Sequence, residues 1–249
     1  MRVELLRYDL PTERIAQHPP EDREAARLLV VPPNGAPLQH RFVRDLPDVV
    51  PAGALVVVND TRVVPARLQG QKAETGGRVE IFLVRRLEAR ELEVAPGETR
   101  TVDVWRALGK ASKALRFGAD IRIGSLWARL LGRADDDGLL EVALWRTDGG
   151  TVDDGIRAHG HVPLPPYIKR SDEAADAERY QTVFARVDGA IAAPTAGLHL
   201  TRALVGRLAV KGCELAAVTL HVGLGTFQPV TVEDLDQHPM HAEPFHISR

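Results

Sequence analysis

Residues 217–222 of this 249-residue chain place Val218, Leu220 and Val222 in alternation and run into His221-Val222-Gly223-Leu224-Gly225-Thr226. Alternation of that kind is the pattern of a β-strand. Gly223 and Gly225 remove the side chains that would hold a ligand away from the main chain, and His221 sets an imidazole, a side chain able to carry protons, at the strand exit. The chemistry on offer is proton transfer to or from a ligand lying against bare backbone. A second segment repeats the design: a small-residue run over 189–193, then Pro194, Thr195 and Gly197, then His199, with Thr201 as N-cap of a helix over 203–211 that Gly212 ends. Each segment alone is equally consistent with a satisfied core histidine beside an ordinary turn; their duplication favours a site. Ligands of open α/β sheets bind beyond the carboxyl ends of the strands, so His199 and His221 are expected to share one pocket.

Three further clusters carry chemistry. Asn59, Asp60, Thr61 and Arg62 put an amide, a carboxylate, a hydroxyl and a guanidinium within four residues, enough to hold a ribose diol or an anionic group; a capped turn, with Arg62 in an interdomain ion pair, reads the same way. Residues 159–170 are stiffened by proline and present Tyr167, Lys169 and Arg170 together, a set suited to a flipped base or a phosphate backbone; the plain alternative is a rigid linker. Tyr180 and Gln181 follow, the amide of Gln181 being able to read a base edge. His238, His241 and Glu243 resemble a metal set, but Pro239 forbids the i, i+4 helical spacing that makes zinc motifs specific, so no metal is expected. His241 and Glu243 stay as candidates for acid–base work. No Walker loop, dinucleotide fingerprint or nucleophile elbow occurs, which sets aside common nucleotide-hydrolysing, dehydrogenase and esterase readings.

The elements that must position these residues fall into two kinds. Residues 54–58 form a continuous apolar run typical of a strand covered on both faces, and with 190–193 and 216–222 they predict an α/β domain. Between them short strand-like runs alternate with Gly and Asp turns, and all three tryptophans, Trp105, Trp127 and Trp145, lie there. That spacing predicts an inserted small antiparallel β-barrel over 66–149 whose tryptophans fill its core, leaving 1–65 and 150–249 as a discontinuous α/β domain. The charged stretch 172–179 reads as a solvated helix or loop.

Composition narrows the setting. At 44% apolar the chain can bury a core, and 32 Lys plus Arg against 34 Asp plus Glu give a net charge of −2, so any cationic footprint must be local. One cysteine, Cys213, excludes an internal disulfide framework and fits a reducing compartment. Neither a signal sequence at the start nor a long apolar run is expected to direct the chain to a membrane; a cytoplasmic monomer is the expectation.

Taken in order, Tyr8-Asp9-Leu10-Pro11, Ile15-Ala16-Gln17-His18-Pro19, the stretch from Asn59 to Leu68, Pro163-Leu164-Pro165-Pro166-Tyr167-Ile168, Glu178-Arg179-Tyr180-Gln181-Thr182, Ala192-Ala193-Pro194-Thr195-Ala196-Gly197-Leu198-His199 and Thr219-Leu220-His221-Val222-Gly223 resemble the S-adenosylmethionine:tRNA ribosyltransferase-isomerase family of queuosine biosynthesis. The resemblance spans essentially the whole chain. It implies that S-adenosylmethionine is consumed as a ribosyl donor, that the acceptor is the aminomethyl group of a deazaguanine at the tRNA wobble position, and that the product is epoxyqueuosine-tRNA with adenine and methionine released. It implies no metal and no separate cofactor. Candidates for the base are His199, His221 and His241, with Tyr180 and Glu243 behind them. Asn59, Asp60, Thr61, Arg62, Tyr167, Lys169, Arg170, Gln181, Pro194, Thr195, Gly197, Gly223, Gly225 and Thr226 are the candidate substrate contacts.

The chain departs from that family where Leu200 and Pro244 stand in place of usual aromatics, and in stopping at Arg249 where members continue. A shortened form that binds tRNA without turnover is therefore the alternative expectation. An anticodon arm needs cations, and Arg62, Lys169 and Arg170 are expected to form that positive face.

Overall fold

The computed structural model describes residues 1–134, 138–227, 229–240 and 242–248. They form two compact units, 1–63 with 164–249, and 64–163.

The second unit is a closed antiparallel barrel. Its six strands run in the order Leu140–Arg146, Leu126–Arg133, Asp120–Ile123, Arg67–Lys72, Arg78–Arg86 and Glu98–Ala111, and the last pairs back onto the first. Period-2 patterning drives the closure: Val79, Ile81 and Leu83 on one strand and Leu126, Ala128 and Leu130 on another are buried, while their neighbours face outward. Arg90–Ala95 folds as a hairpin onto the first part of the long strand Glu98–Ala111. Under that hairpin Val94, Val102, Val104, Ala143 and Trp145 make a second core with Leu92 and Trp127. Trp127 and Trp145 stack there at 6.3 Å. Two of the tryptophans thus fill a flanking core on the other face of the wall instead of the barrel interior, because residues 143 and 145 alternate with inward-facing Val142 and Leu144.

The helix Val152–His159 starts at a capping box in which the Thr151 hydroxyl accepts from the Asp154 N–H and the Asp154 carboxylate accepts from the Thr151 N–H. Gly160–His161 then pairs antiparallel with Arg67–Lys72. Residues 150–163 therefore fall within the barrel unit.

The first unit is α/β but is built from three small sheets. Leu55–Asn59 runs parallel to Glu214–Leu220, with Phe245–His246 antiparallel on the far edge. Thr61–Val63 runs parallel to Val187–Ala190, and Arg27–Val30 pairs with Gln39–Phe42. The helix Arg202–Val210 begins at Thr201, whose hydroxyl accepts from the Leu204 N–H at 3.0 Å, and buries Leu204 and Leu208. Two expectations change here. The strand anticipated over 190–193 is Val187–Ala190 and joins Thr61–Val63. The run 54–58 is not covered on both faces: Leu55 and Val57 are 61% and 57% exposed, so one face of this sheet is open among the described residues. Continuous apolarity reports what a strand could bury, not what reaches it.

No helix of the described residues is long and apolar enough to cross a membrane.

Candidate functional site

The parallel strands Leu55–Asn59 and Glu214–Leu220 end side by side, and the residues just beyond them are locked together by side chains. The Asn59 amide donates to the Leu220 carbonyl at 2.8 Å, and its oxygen accepts from the Leu220 and Thr61 N–H groups at 3.1 and 3.0 Å. Asp60 is 3% exposed; one oxygen accepts from the Thr219 hydroxyl at 2.6 Å and the other from Arg186 at 2.7 Å. A buried carboxylate has to be satisfied in this way. Asn59 and Asp60, expected as substrate contacts, spend their polar atoms holding the corner.

What the corner presents is His221. Its Nδ1 lies 2.8 Å from the Thr61 hydroxyl, which is itself 3.5 Å from the Val187 carbonyl. The ring rests on Gly189: a Cβ built there would stand 2.5–2.9 Å from three imidazole atoms. Real Cβ atoms essentially never come so close, so the missing side chain at 189 is what admits the ring. The His221 N–H donates to the Pro244 carbonyl at 3.1 Å, and the Gly223 N–H donates to Glu243 at 2.8 Å. Glu243, a candidate acid or base, thus anchors the glycine loop. The Val222 carbonyl accepts from the Ile191 and Ala192 N–H groups at 3.1 and 3.3 Å, tying the two glycine-bearing segments to each other.

The second histidine is held differently. Residues Thr195–His199 form a 3₁₀ turn, and Gly197 sits where a Cβ would be 3.0 Å from the Thr182 methyl. Arg23 organises this region. Its guanidinium donates to the carbonyls of Glu178, Gln181 and Leu198 at 3.0, 3.0 and 2.8 Å. Partial burial of the ring, and secondarily the Arg23 charge, lower the His199 pKa from the ordinary 6.5, so the imidazole is neutral at pH 7 and able to accept a proton. Burial, followed by the Asp176 charge, raises the Tyr180 pKa above its ordinary 10.0, which disfavours a phenolate base and leaves a phenol donor.

Several candidate contacts are committed elsewhere. The Gln181 amide does not face outward to read a base: it pairs with the Val63 backbone, accepting from its N–H at 3.0 Å and donating to its carbonyl at 2.7 Å. Arg170 forms a two-pronged pair with the buried Asp176 at 2.6 and 2.8 Å and donates to the Gln17 carbonyl, so its guanidinium is a brace. Arg62 lies 3.4 Å from Asp188 and donates to the Ala185 carbonyl, an ion pair inside its own unit. The Lys169 ammonium donates to the Pro166 carbonyl. The positive face expected from Arg62, Lys169 and Arg170 is accordingly reduced to Lys169 as the cation without a carboxylate partner among the described residues. Tyr167 is exposed, as is Thr195, while Pro194, Gly225 and Thr226 lie on the turns that follow the two strands. His241 lies outside the described residues. Arg23 and Gly189 were missed by the sequence reading; Arg23 lies in an ordinary charged run, and Gly189 differs from other glycines only by what faces it.

The family model described as queuosine biosynthesis protein matches residues 3–249. An S-adenosylmethionine:tRNA ribosyltransferase-isomerase of Sorangium cellulosum is 55% identical over 258 residues, covering 99% of this chain and 69% of that protein. One of the same name from Xanthobacter autotrophicus is 46% identical over 257 residues, covering 98% of this chain and 67% of that protein. A solved structure, an S-adenosylmethionine tRNA ribosyltransferase from Thermotoga maritima, is 29% identical, covers 86% of this chain and 57% of its own, and superposes with a TM-score of 0.32. The chain therefore spans about two thirds of the length of these two relatives and less of the solved one.

Proposed function

The chain belongs to the queuosine biosynthesis protein family, and we propose that it transfers and isomerises the ribosyl group of S-adenosylmethionine onto the aminomethyl-deazaguanine at the tRNA wobble position, releasing adenine and methionine. Such a reaction belongs in the cytoplasm, where tRNA is modified. The observation that carries the proposal for the site is the seating of His221 on Gly189, with Nδ1 at the Thr61 hydroxyl.

A sulfonium acidifies the ribose methylene bonded to it. A base that removes that proton leaves a carbanion beside sulfur; its electron pair forms a C4′–C5′ double bond as the ring C4′–O4′ bond breaks, the oxygen becomes the C1′ carbonyl and adenine departs from C1′. The neutral acceptor amine then adds at C4′, the carbanion regenerated at C5′ closes onto C1′, and the alkoxide so formed displaces methionine from C5′. His221 is suited to the first step. With Nδ1–H donating to Thr61 and the hydroxyl turned to the Val187 carbonyl, the Nε2 lone pair is free to take the proton, and the Gly189 backbone fixes the ring plane. His199, neutral at pH 7, is suited to take the second proton, from the amine. The loop 223–226 lets substrate approach the main chain, with Gly223 already held by Glu243.

The test is incubation with S-adenosylmethionine and precursor-bearing tRNA. Adenine release that depends on both substrates supports the proposal. Retention of tRNA without adenine release overturns it in favour of a binding protein of the same fold.

A further inference from the structure

Six arginines of the barrel unit are spent on carboxylates: Arg67 on Glu80, Arg86 on Asp103 and Asp153, Arg90 on Glu141, Arg100 on Glu98, Arg129 on Asp120, and Arg146 on Asp148. One patch breaks that pattern. Arg78, Lys110 and Arg122 are exposed, and among the described residues their side chains make neither a hydrogen bond nor an ion pair. They stand around an open cleft of about 850 Å³ on the outer wall, together with Gln69, Gln71 and Ser112.

Strand register explains why they are together. Gln71 lies directly opposite Arg78 on one side and Arg122 on the other, forming a row across three strands. Directly opposed residues of antiparallel strands share a face, so these three project outward while Val79 and Ile121 project inward. The next row sets Gln69 against Glu80 and Glu80 against Lys110. Gly70 permits the close approach that builds the first row: a Cβ there would lie 2.6–2.8 Å from Ile123, Ile121 and the Arg122 carbonyl. Glu80 is the one carboxylate in the lining, and Arg67 at 3.2 Å already neutralises it.

The lining selects among polyanions. Guanidinium and amide groups on a rigid sheet, spaced by strand separations of ~5 Å, suit successive phosphate oxygens. The lining has no aromatic side chain of the kind that anchors a protein partner. It also has no large apolar residue aimed outward to enter a lipid interface. We propose that this outer face of the barrel, at Arg78, Lys110 and Arg122, holds the phosphodiester backbone of the tRNA substrate. The assignment rests on the reading of the chain as a tRNA ribosyltransferase-isomerase. It supplies the cationic footprint that a chain of net charge −2 must keep local.

The experiment compares the full chain, the triple variant Arg78→Ala/Lys110→Ala/Arg122→Ala, and the control Arg85→Ala/Arg133→Ala, which removes exposed cations outside the cleft. Binding of precursor-bearing tRNA is followed by fluorescence anisotropy across a salt series, alongside adenine release and tryptophan fluorescence as a check on the barrel. The triple variant should bind ~10-fold or more weakly at 0.1 M salt, with a plot of log affinity against log salt shallower by about 3, one unit for each lost phosphate contact. The KM for S-adenosylmethionine and the rate at saturating tRNA should be unchanged, and the control should behave as the parent. Equal affinity and slope in the triple variant overturn the assignment. So does an equal loss in the control. A parent chain that binds tRNA through these cations yet releases no adenine leaves this surface standing and removes the catalytic reading. Adenine release with an unaltered salt slope in the triple variant does the reverse.

Discussion

The Nδ1 of His221 lies 2.8 Å from the Thr61 hydroxyl, joining the exit of one parallel strand to the residue that opens the next sheet, 160 positions away in the chain. That bond orients an imidazole whose opposite nitrogen has no hydrogen-bond partner among the described residues. His221→Ala is expected to abolish adenine release without changing the far-ultraviolet circular dichroism. Thr61→Val keeps the shape and deletes the hydroxyl, so kcat should fall ~10-fold or more, the scale of a mispositioned general base, with the acid limb of the pH–rate profile displaced. Thr61→Ser should restore both. A Thr61→Val enzyme with parental kcat and pH profile would show that the bond does not orient the base.

Gly189 is the platform for that ring. Gly189→Ala would bring a methyl group to within 2.5–2.9 Å of the imidazole. The ring must swing away, so kcat should drop, and the crowding should cost ~1–3 kcal/mol of stability. Adenine release and a thermal melt measure the two effects. An alanine variant with parental activity would mean that the ring has room to move without loss.

Asp60 behaves as a buried brace. Asp60→Ala leaves the Thr219 hydroxyl without its acceptor and frees Arg186, and should destabilise by about 1–3 kcal/mol in urea unfolding; Arg186 is mostly exposed, so its half of the pair contributes little. Thr219→Val should cost less. The double variant should be less destabilised than the sum of the single ones, because both remove the same contact.

Acid should weaken the first unit in a defined window. Hydrogen bonding from Arg170 holds the Asp176 pKa below its ordinary 3.8, and the Thr201 hydroxyl, with Arg207, holds Glu24 below 4.5. Both carboxyls bind protons less readily folded than unfolded. The stability they contribute is complete above those ordinary values and is lost as pH falls through the depressed ones. Melting temperature should therefore hold down to about pH 4.5 and then decline, and Asp176→Asn should flatten the decline while lowering the plateau. A parental acid limb in that variant would remove the Arg170 pair from the account.

Much of this could be read from the chain alone, for a local physical reason. Period-2 alternation predicted the barrel strands, Thr201 and Gly212 bracketed the helix Arg202–Val210, and glycine after a β-run marked the corner that His221 occupies. The capping signal Thr151-x-x-Asp154 marks the start of the helix Val152–His159 in the same local way. Each of these signals lies within a few residues of the feature it specifies.

Tertiary structure decided how the polar groups are used. Asn59, Asp60, Gln181 and Arg170 have the chemistry of ligand contacts in sequence, yet they satisfy the Leu220, Thr219, Val63 and Asp176 groups that folding brings to them. Arg23 and Gly189 were unremarkable in sequence until the carbonyls of 178, 181 and 198 and the ring of His221 arrived beside them. A side chain's type is local information. Whether its hydrogen bonds and charge remain available for a substrate depends on partners that, for Asn59, Asp60 and Gln181, lie more than a hundred residues away, and only the folded chain chooses those.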